Sequence, residues 1–169
     1  MNDHSSQACL VTITWHLRHH GFPSPLLDWS RSVYVAAYFA FSGARNKDDK
    51  VSIFIYWESA EGIKGGSVGD PEIVVFGPYV RTHSRHFLQQ SQYTICVARK
   101  SKEWCYAPHE DAFARDEPDQ DLLWKYNIPS SERLKVLKIL DAYNLNDYSL
   151  FGSEESLMRT MALRELHIR

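Results

Sequence analysis

Three successive residues, Asp28, Trp29 and Ser30, place a carboxylate, a large aromatic ring and a hydroxyl side by side. A carboxylate can take part in acid–base chemistry, an aromatic ring can stack on a base, and a hydroxyl can bind a polar ligand. Pro23 and Pro25 precede this triplet and hold the chain extended, because proline fixes its own backbone and restricts the residue before it. Functional loops on rigid scaffolds have this character. The triplet is therefore our first candidate for a binding or catalytic site.

A purely structural turn is the alternative for the same residues. Asp and Ser side chains often bond nearby backbone groups in turns, and Leu26 and Leu27 would anchor the loop in the core. We expect Asp28 to be largely buried and hydrogen-bonded, since a buried carboxylate needs partners. On that basis, Asp28→Ala would cost about 1 to 3 kcal/mol of stability.

A second polar group lies at Arg85 and Gln89, which are four residues apart and are neighbours if the segment is helical. The arginine guanidinium is a planar donor fork that suits phosphate. We expect both residues to lie on the same side of the sheet as Asp28 and Ser30. The surrounding basic residues would suit a pyrophosphate or an RNA backbone, and a solvated basic surface is the alternative. These residues are Arg81, Arg85, Arg99, Lys100 and Lys102.

The histidines suggest an alternative kind of site, one that binds zinc instead of a phosphate group. His16, His19 and His20 would share one face of a helix, and His83 with His86 forms H-x-x-H. No cysteine lies within four residues of either group, although zinc takes three or four ligands. Histidines at helix ends commonly favour the local dipole instead. The sequence therefore predicts no metal site, and His19 is kept as a candidate for ligand binding.

Composition narrows the class of protein. The chain has 169 residues, of which 44% are hydrophobic, and this is enough for a core. The net charge of -2 gives no general attraction to nucleic acid or to an anionic membrane. Three cysteines without C-x-x-C spacing suggest a reducing compartment. With no signal peptide and no long apolar run, we expect a cytoplasmic protein without a membrane partner.

These residues must be positioned by helices and strands. Their predicted order indicates an α+β domain with a small, mostly antiparallel sheet of four or more strands and helices at both ends. The loop leads into an apolar, buried helix that Ser32 caps, over Val33 to Ser42. Residues 81–90 are predicted as a short helix or turn, and 104–118 as irregular. Strands are predicted at 51–57, 72–76, 93–98 and 122–128, and further helices from residue 5 or 6 to 20, from 130 or 131 to 143, and at 154–166.

The stretch from residue 19 to residue 40 resembles the signature of the FRG domain family, which is close to H-Y-G-x-P-T-R-L-L-D-W-T followed by a helix of small and aromatic residues. Ser24 and Ser30 stand where threonine is usual, and Pro25 stands where arginine is usual. The upstream F-R-G triplet that names the family does not occur. The matching residues are His19, Gly21, Pro23, Leu26, Leu27, Asp28 and Trp29.

Two later segments, 81–95 and 125–163, also resemble this family. The matching residues of the first segment are Arg85, Gln89, Tyr93 and Thr94. In the second segment, Gly152 replaces a usual proline. The resemblance runs from about residue 15 to the end. It implies one FRG-type domain over residues 1–169 that lacks the upstream segment.

The helix after Ser30 is in turn similar to an element of ADP-ribosyltransferases, and Gln89 stands near the place of their late glutamate. This resemblance implies a site for NAD or ADP-ribose, with Asp28 and Gln89 as catalytic candidates. Glutamine cannot remove a proton, and the early arginine is not evident, so enzymatic activity stays an open question. The alternative is a non-catalytic recognition module for a protein or RNA partner. The ligand-binding candidates are His19, Asp28, Trp29, Ser30, Arg85 and Gln89.

Overall fold

The computed structural model describes residues 24–44, 46, 49–59, 67–76, 84–100, 103–114 and 120–168. This part of the chain has an α+β fold, as predicted. A 3₁₀ turn at Ser130–Glu132 precedes the fourth helix, and a π-helical segment at Arg164–Ile168 follows the last. The strands are β1 (Leu27–Ser30), β2 (Lys50–Trp57), β3 (Glu72–Phe76), β4 (Ser91–Lys100), β5 (Glu103–Tyr106) and β6 (Leu122–Pro129). The helices are α1 (Val33–Ser42), α2 (Ser84–Leu88), α3 (His109–Phe113), α4 (Arg133–Ala142), α5 (Asp147–Phe151) and α6 (Glu154–Leu163).

The strands form two antiparallel sheets rather than the one sheet we predicted. In the larger sheet β4 pairs with β1, β3 and β5. In the smaller sheet β2 and β6 pair along their whole length, from Lys50 opposite Pro129 to Trp57 opposite Leu122. The split was not visible in the sequence, because strand patterns do not say which strand pairs with which.

Helix α1 is central because it packs against α4 and the end of α5. Its buried residues Val35, Tyr38 and Phe41 form one core cluster with apolar side chains of those helices. Ser32 caps α1 by accepting a hydrogen bond from the Val35 amide at 3.4 Å, as predicted. The helix is not buried all round, however. Its apolar composition therefore overstates its burial, since the exposed residues Val33, Tyr34 and Phe39 are also apolar. The partners of α1 in this cluster are Leu137, Leu140 and Leu150.

Several elements differ from the sequence prediction. β1 forms where a loop was expected, and β5 and α3 form inside the segment predicted to be irregular. These elements have only four or five residues, so tertiary pairing decides them rather than local pattern. The helix predicted before residue 20 lies outside the described residues. Helices α4 and α6 confirm helices at the carboxyl end, and no helix in the described segments is long and apolar enough to cross a bilayer.

Candidate functional site

A cavity of about 1220 Å³ opens beside β1. Its walls come from β1, α1, α2, α3, β4 and the smaller sheet, together with the end of α5. Five of the six predicted ligand-binding residues line it, while the sixth, His19, lies outside the described residues. Segments distant in sequence are therefore brought together here. The five residues are Asp28, Trp29, Ser30, Arg85 and Gln89.

The lining residues come from both faces of β1. Asp28 lies opposite Tyr93 of β4, and Ser30 lies opposite Ser91. Residues directly opposite each other in a sheet share a face, so these four lie on one face, and Trp29 projects from the other. We call the first side the Arg85 lobe, since Arg85 lines the cavity there, and the second side the Trp29 lobe.

In the Arg85 lobe, Arg85 is exposed, and its guanidinium carbon lies 5.6 Å from the centre of the Phe151 ring. This geometry is that of a cation–π contact. Among the described residues, no carboxylate forms an ion pair with this guanidinium. The planar donor fork is thus positioned at the cavity without an ion-pair partner from that part of the chain.

The side chains of Gln89 and Ser30 form hydrogen bonds with backbone groups. The Gln89 side-chain amide donates to the Leu150 carbonyl at 3.1 Å. The Ser30 hydroxyl donates to the Gln89 carbonyl at 2.8 Å and accepts from the Ser32 amide at 3.1 Å. These bonds join the end of β1 to the end of α2 and fix the position of Arg85, one helical turn before Gln89.

Asp28 is exposed, so the prediction that it is largely buried is wrong. The physical reason is that, among the described strands, β1 pairs with β4 alone, and the Asp28 side chain lines the cavity instead of entering the core. The stability cost expected for Asp28→Ala was argued partly from this burial, and it stays a prediction. The Asp28 side chain is thus exposed at the wall of the cavity.

The Trp29 lobe contains a hydrogen-bonded chain of side chains. The Trp29 indole nitrogen donates to the Thr94 hydroxyl at 2.8 Å, and this hydroxyl lies 2.9 Å from Nε2 of His109. Trp29 also packs against Tyr56, with ring centres 5.5 Å apart. His109 lines the cavity at the start of α3. We did not predict His109, because no spacing motif marks it and α3 was not expected.

Burial lowers the pKa of His109 below its ordinary value of 6.5, and the carboxylate of Glu110 only partly opposes this effect. The folded protein therefore keeps this imidazole neutral at pH values where the unfolded chain already binds a proton. The histidine stabilises the fold fully above pH 6.5, and this contribution is lost as the pH falls through the lowered value.

We therefore expect the free energy of unfolding to fall more in the wild type than in His109→Gln between about pH 7 and pH 5. Glutamine does not titrate but can still accept from Thr94, and the other histidines contribute equally to both proteins. Urea titrations across this range test the difference. If the free energy of unfolding changed with pH equally in the two proteins, His109 would have the same pKa in the folded and unfolded states.

His86, the second histidine of the H-x-x-H motif, is buried and bonds through Nδ1 to the Tyr93 hydroxyl at 2.7 Å. His83, like His16, His19 and His20, lies outside the described residues. Within the described residues, no group of three or more His, Cys, Asp or Glu side chains is arranged to hold a metal ion. His86 therefore has a structural partner in the Arg85 lobe.

Comparisons with known proteins bear on the resemblance noted above. No curated protein and no solved structure matches the chain, so the similarity to ADP-ribosyltransferases stays a prediction. The family comparison gives one result, which covers the signature loop and the whole of α1 but ends before Arg85 and Gln89. Residues 1–49 of the chain match the family model of the FRG domain.

Proposed function

We propose that the cavity binds a phosphate-bearing nucleotide of the NAD or ADP-ribose type. The observation that carries the proposal is the position of Arg85, an exposed guanidinium that lines the cavity and lies over the Phe151 ring. Arginine binds phosphate through two parallel charge-assisted hydrogen bonds, which are stronger than neutral ones. A pyrophosphate would give this guanidinium the ion-pair partner that it lacks among the described residues.

The Arg85 lobe is organised before a ligand arrives. Gln89 is bonded through its side chain to Leu150 and through its carbonyl to Ser30, so α2 is attached to both α5 and β1. The Phe151 ring lies against the Arg85 guanidinium. Preorganisation of this kind reduces the entropy that binding must overcome and so favours affinity for a phosphate group.

The size and lining of the cavity fit a dinucleotide. A volume of about 1220 Å³ exceeds the range of roughly 300 to 1,000 Å³ typical of sites for drug-sized ligands. Aromatic residues of the wall, among them Trp29 and Phe113, offer apolar surface to a base or a nicotinamide ring. Phosphate and ring binding are thus supported by different parts of one cavity.

For ADP-ribosyl transfer, Asp28 is the better of the two catalytic candidates. Its exposed carboxylate lines the cavity and would stabilise the positive charge that develops on the ribose. Gln89 has no charge, and its side-chain amide is engaged by Leu150. We assign Gln89 a positioning role, and we propose transferase activity only with Asp28 as the charged group. The cytoplasmic location stays a prediction from the cysteine pattern.

A recognition module for a protein or RNA partner is the second candidate, and one surface favours it. The smaller sheet exposes Trp57, Trp124 and Tyr126, with the two tryptophan rings 6.4 Å apart in a T-shaped contact. Exposed aromatic residues are enriched where proteins bind partners. This surface would serve a partner without the cavity being occupied.

Arg85→Ala tests the proposal directly. Charge-assisted hydrogen bonds contribute about 1.5 to 3 kcal/mol, so we expect the affinity for ADP-ribose to fall roughly 10- to 100-fold. Isothermal titration calorimetry or the amide shifts of Ser30 and Arg85 would report binding. Arg31→Ala is the matched control, because Arg31 is exposed next to Ser30 but does not line the cavity.

Equal losses in the two variants would mean that only general electrostatic attraction had been measured. If wild-type protein with a folded spectrum shows no shift at millimolar NAD or ADP-ribose, the nucleotide proposal is wrong. The recognition module would then be the better description.

A further inference from the structure

The hydrogen-bonded chain in the Trp29 lobe determines where the protons lie. An indole nitrogen can only donate, so the Thr94 oxygen must accept from Trp29. Thr94 is only 1% exposed, and its side chain bonds to Trp29 and His109. Its own proton must therefore go to Nε2 of His109, because the reverse arrangement would leave a buried hydroxyl proton without an acceptor.

The bond from Thr94 selects one form of His109. With Nε2 accepting, the imidazole is neutral and carries its proton on Nδ1. Nδ1 has no hydrogen-bond partner among the described residues, and the half-buried ring lines the cavity. Nδ1–H is therefore the ring donor of His109 that is left for a ligand in the Trp29 lobe.

The charges around this donor differ from those of the Arg85 lobe, where the Asp28 carboxylate shares the cavity wall with the Arg85 guanidinium. Glu110 follows His109 and lines the same cavity with an exposed carboxylate, while the imidazole itself is uncharged. Three aromatic rings lie close together here, with Tyr56 5.5 Å from Trp29 and 6.1 Å from Phe113. A carboxylate and aromatic faces attract a cation and repel an anion.

We propose that the Trp29 lobe binds a flat cationic ring bearing a carboxamide, as in the N-substituted nicotinamide of NAD⁺, and that Nδ1–H of His109 donates to the carboxamide oxygen. This inference rests on the proposed nucleotide site and assigns one part of its ligand to one side of β1. Trp29 and Thr94 are positioning residues, since they fix the tautomer of His109 through the hydrogen-bonded chain. Adenine fits less well, because it brings no positive charge to Glu110.

The probe is 1-methylnicotinamide, which carries the cationic ring without any phosphate. We expect it to bind about two- to fivefold more tightly than neutral nicotinamide, as a cation–π contact would give. His109→Ala should weaken its binding about five- to tenfold, through loss of one hydrogen bond. Glu110→Gln should reduce the preference for the cation, whereas Glu103→Gln, which removes an exposed carboxylate of β5 outside the cavity, should not.

Nitrogen-15 spectra of the histidine rings provide a readout that a merely structural role would not change. Wild-type His109 should show a protonated Nδ1 and an unprotonated Nε2, and the Nδ1–H signal should move when 1-methylnicotinamide is added. Thr94→Ser should keep this signature, and Thr94→Val should lose it. The wild-type spectrum and titration decide the matter even if Thr94→Val does not fold.

A protonated Nε2 in the wild type, or an Nδ1–H signal unmoved by saturating 1-methylnicotinamide, would overturn the inference. This result does not depend on ADP-ribose, which lacks the nicotinamide ring and tests the Arg85 lobe. Binding of the ring probe without ADP-ribose would refute only the phosphate site. Binding of ADP-ribose without the ring probe would refute only the assignment of the Trp29 lobe.

Discussion

Phe41→Ala is expected to lower the free energy of unfolding by about 3 to 5 kcal/mol, which is the usual cost of removing a buried phenylalanine ring. Phe41 is 1% exposed and packs in the cluster that joins α1 to α4. The loss combines the transfer free energy of the ring with the cavity that remains, because close-packed neighbours relax only in part. Urea denaturation with an unchanged slope would measure it.

Phe87→Ala is the matched control, because the same side chain is 69% exposed on α2. It should change stability by no more than about 0.5 kcal/mol. Similar losses in the two variants would mean that α1 is not the centre of the core. Phe41 itself does not line the cavity, so Phe41→Ala should weaken ligand binding only in proportion to the unfolded fraction.

Asp121→Ala should destabilise the protein by about 2 to 4 kcal/mol, since it leaves two donors without their acceptor. Asp121 is 6% exposed and accepts from the Tyr56 hydroxyl at 2.9 Å and from the Ser59 amide at 3.0 Å. Burial, and then the hydrogen bond to Asp121, raises the pKa of Tyr56 far above its ordinary value, so this phenol donates throughout the physiological range.

A double-mutant cycle with Tyr56→Phe separates the two bonds. The phenylalanine keeps the ring that packs against Trp29 but removes the hydroxyl. If the Tyr56 bond matters, Asp121→Ala should cost less in the Tyr56→Phe background than in the wild type, by about 1 kcal/mol or more. Strict additivity in urea denaturation would show that this pair is not coupled.

The sequence predicted best those elements whose residues carry their own pattern. Strand β2 is rich in β-branched and aromatic residues, and α6 is capped by Ser153, whose hydroxyl accepts from the Ser156 amide. β1 has neither kind of signal, and it exists because it pairs with β4. This pairing also explains why Asp28, expected in the core, lies at the cavity instead.

Some residues of the candidate site could likewise be predicted from the sequence, and others could not. The grouping of Asp28, Ser30, Arg85 and Gln89 followed from their resemblance to family positions, and the structure places all four around one cavity. His109 could not have been found, since its significance comes from Thr94 and not from its sequence neighbours. Its role depends on a hydrogen bond between side chains of two elements, which no local pattern encodes.

The bond between Trp29 and Thr94 has a kinetic consequence. These residues are 65 positions apart in the chain, and closing so long a loop costs entropy before the contact stabilises anything. Contacts of this range slow folding and tend to form late. The walls of the cavity come from residues between Leu27 and Phe151, so a nascent chain cannot complete the cavity before α5 has been synthesised.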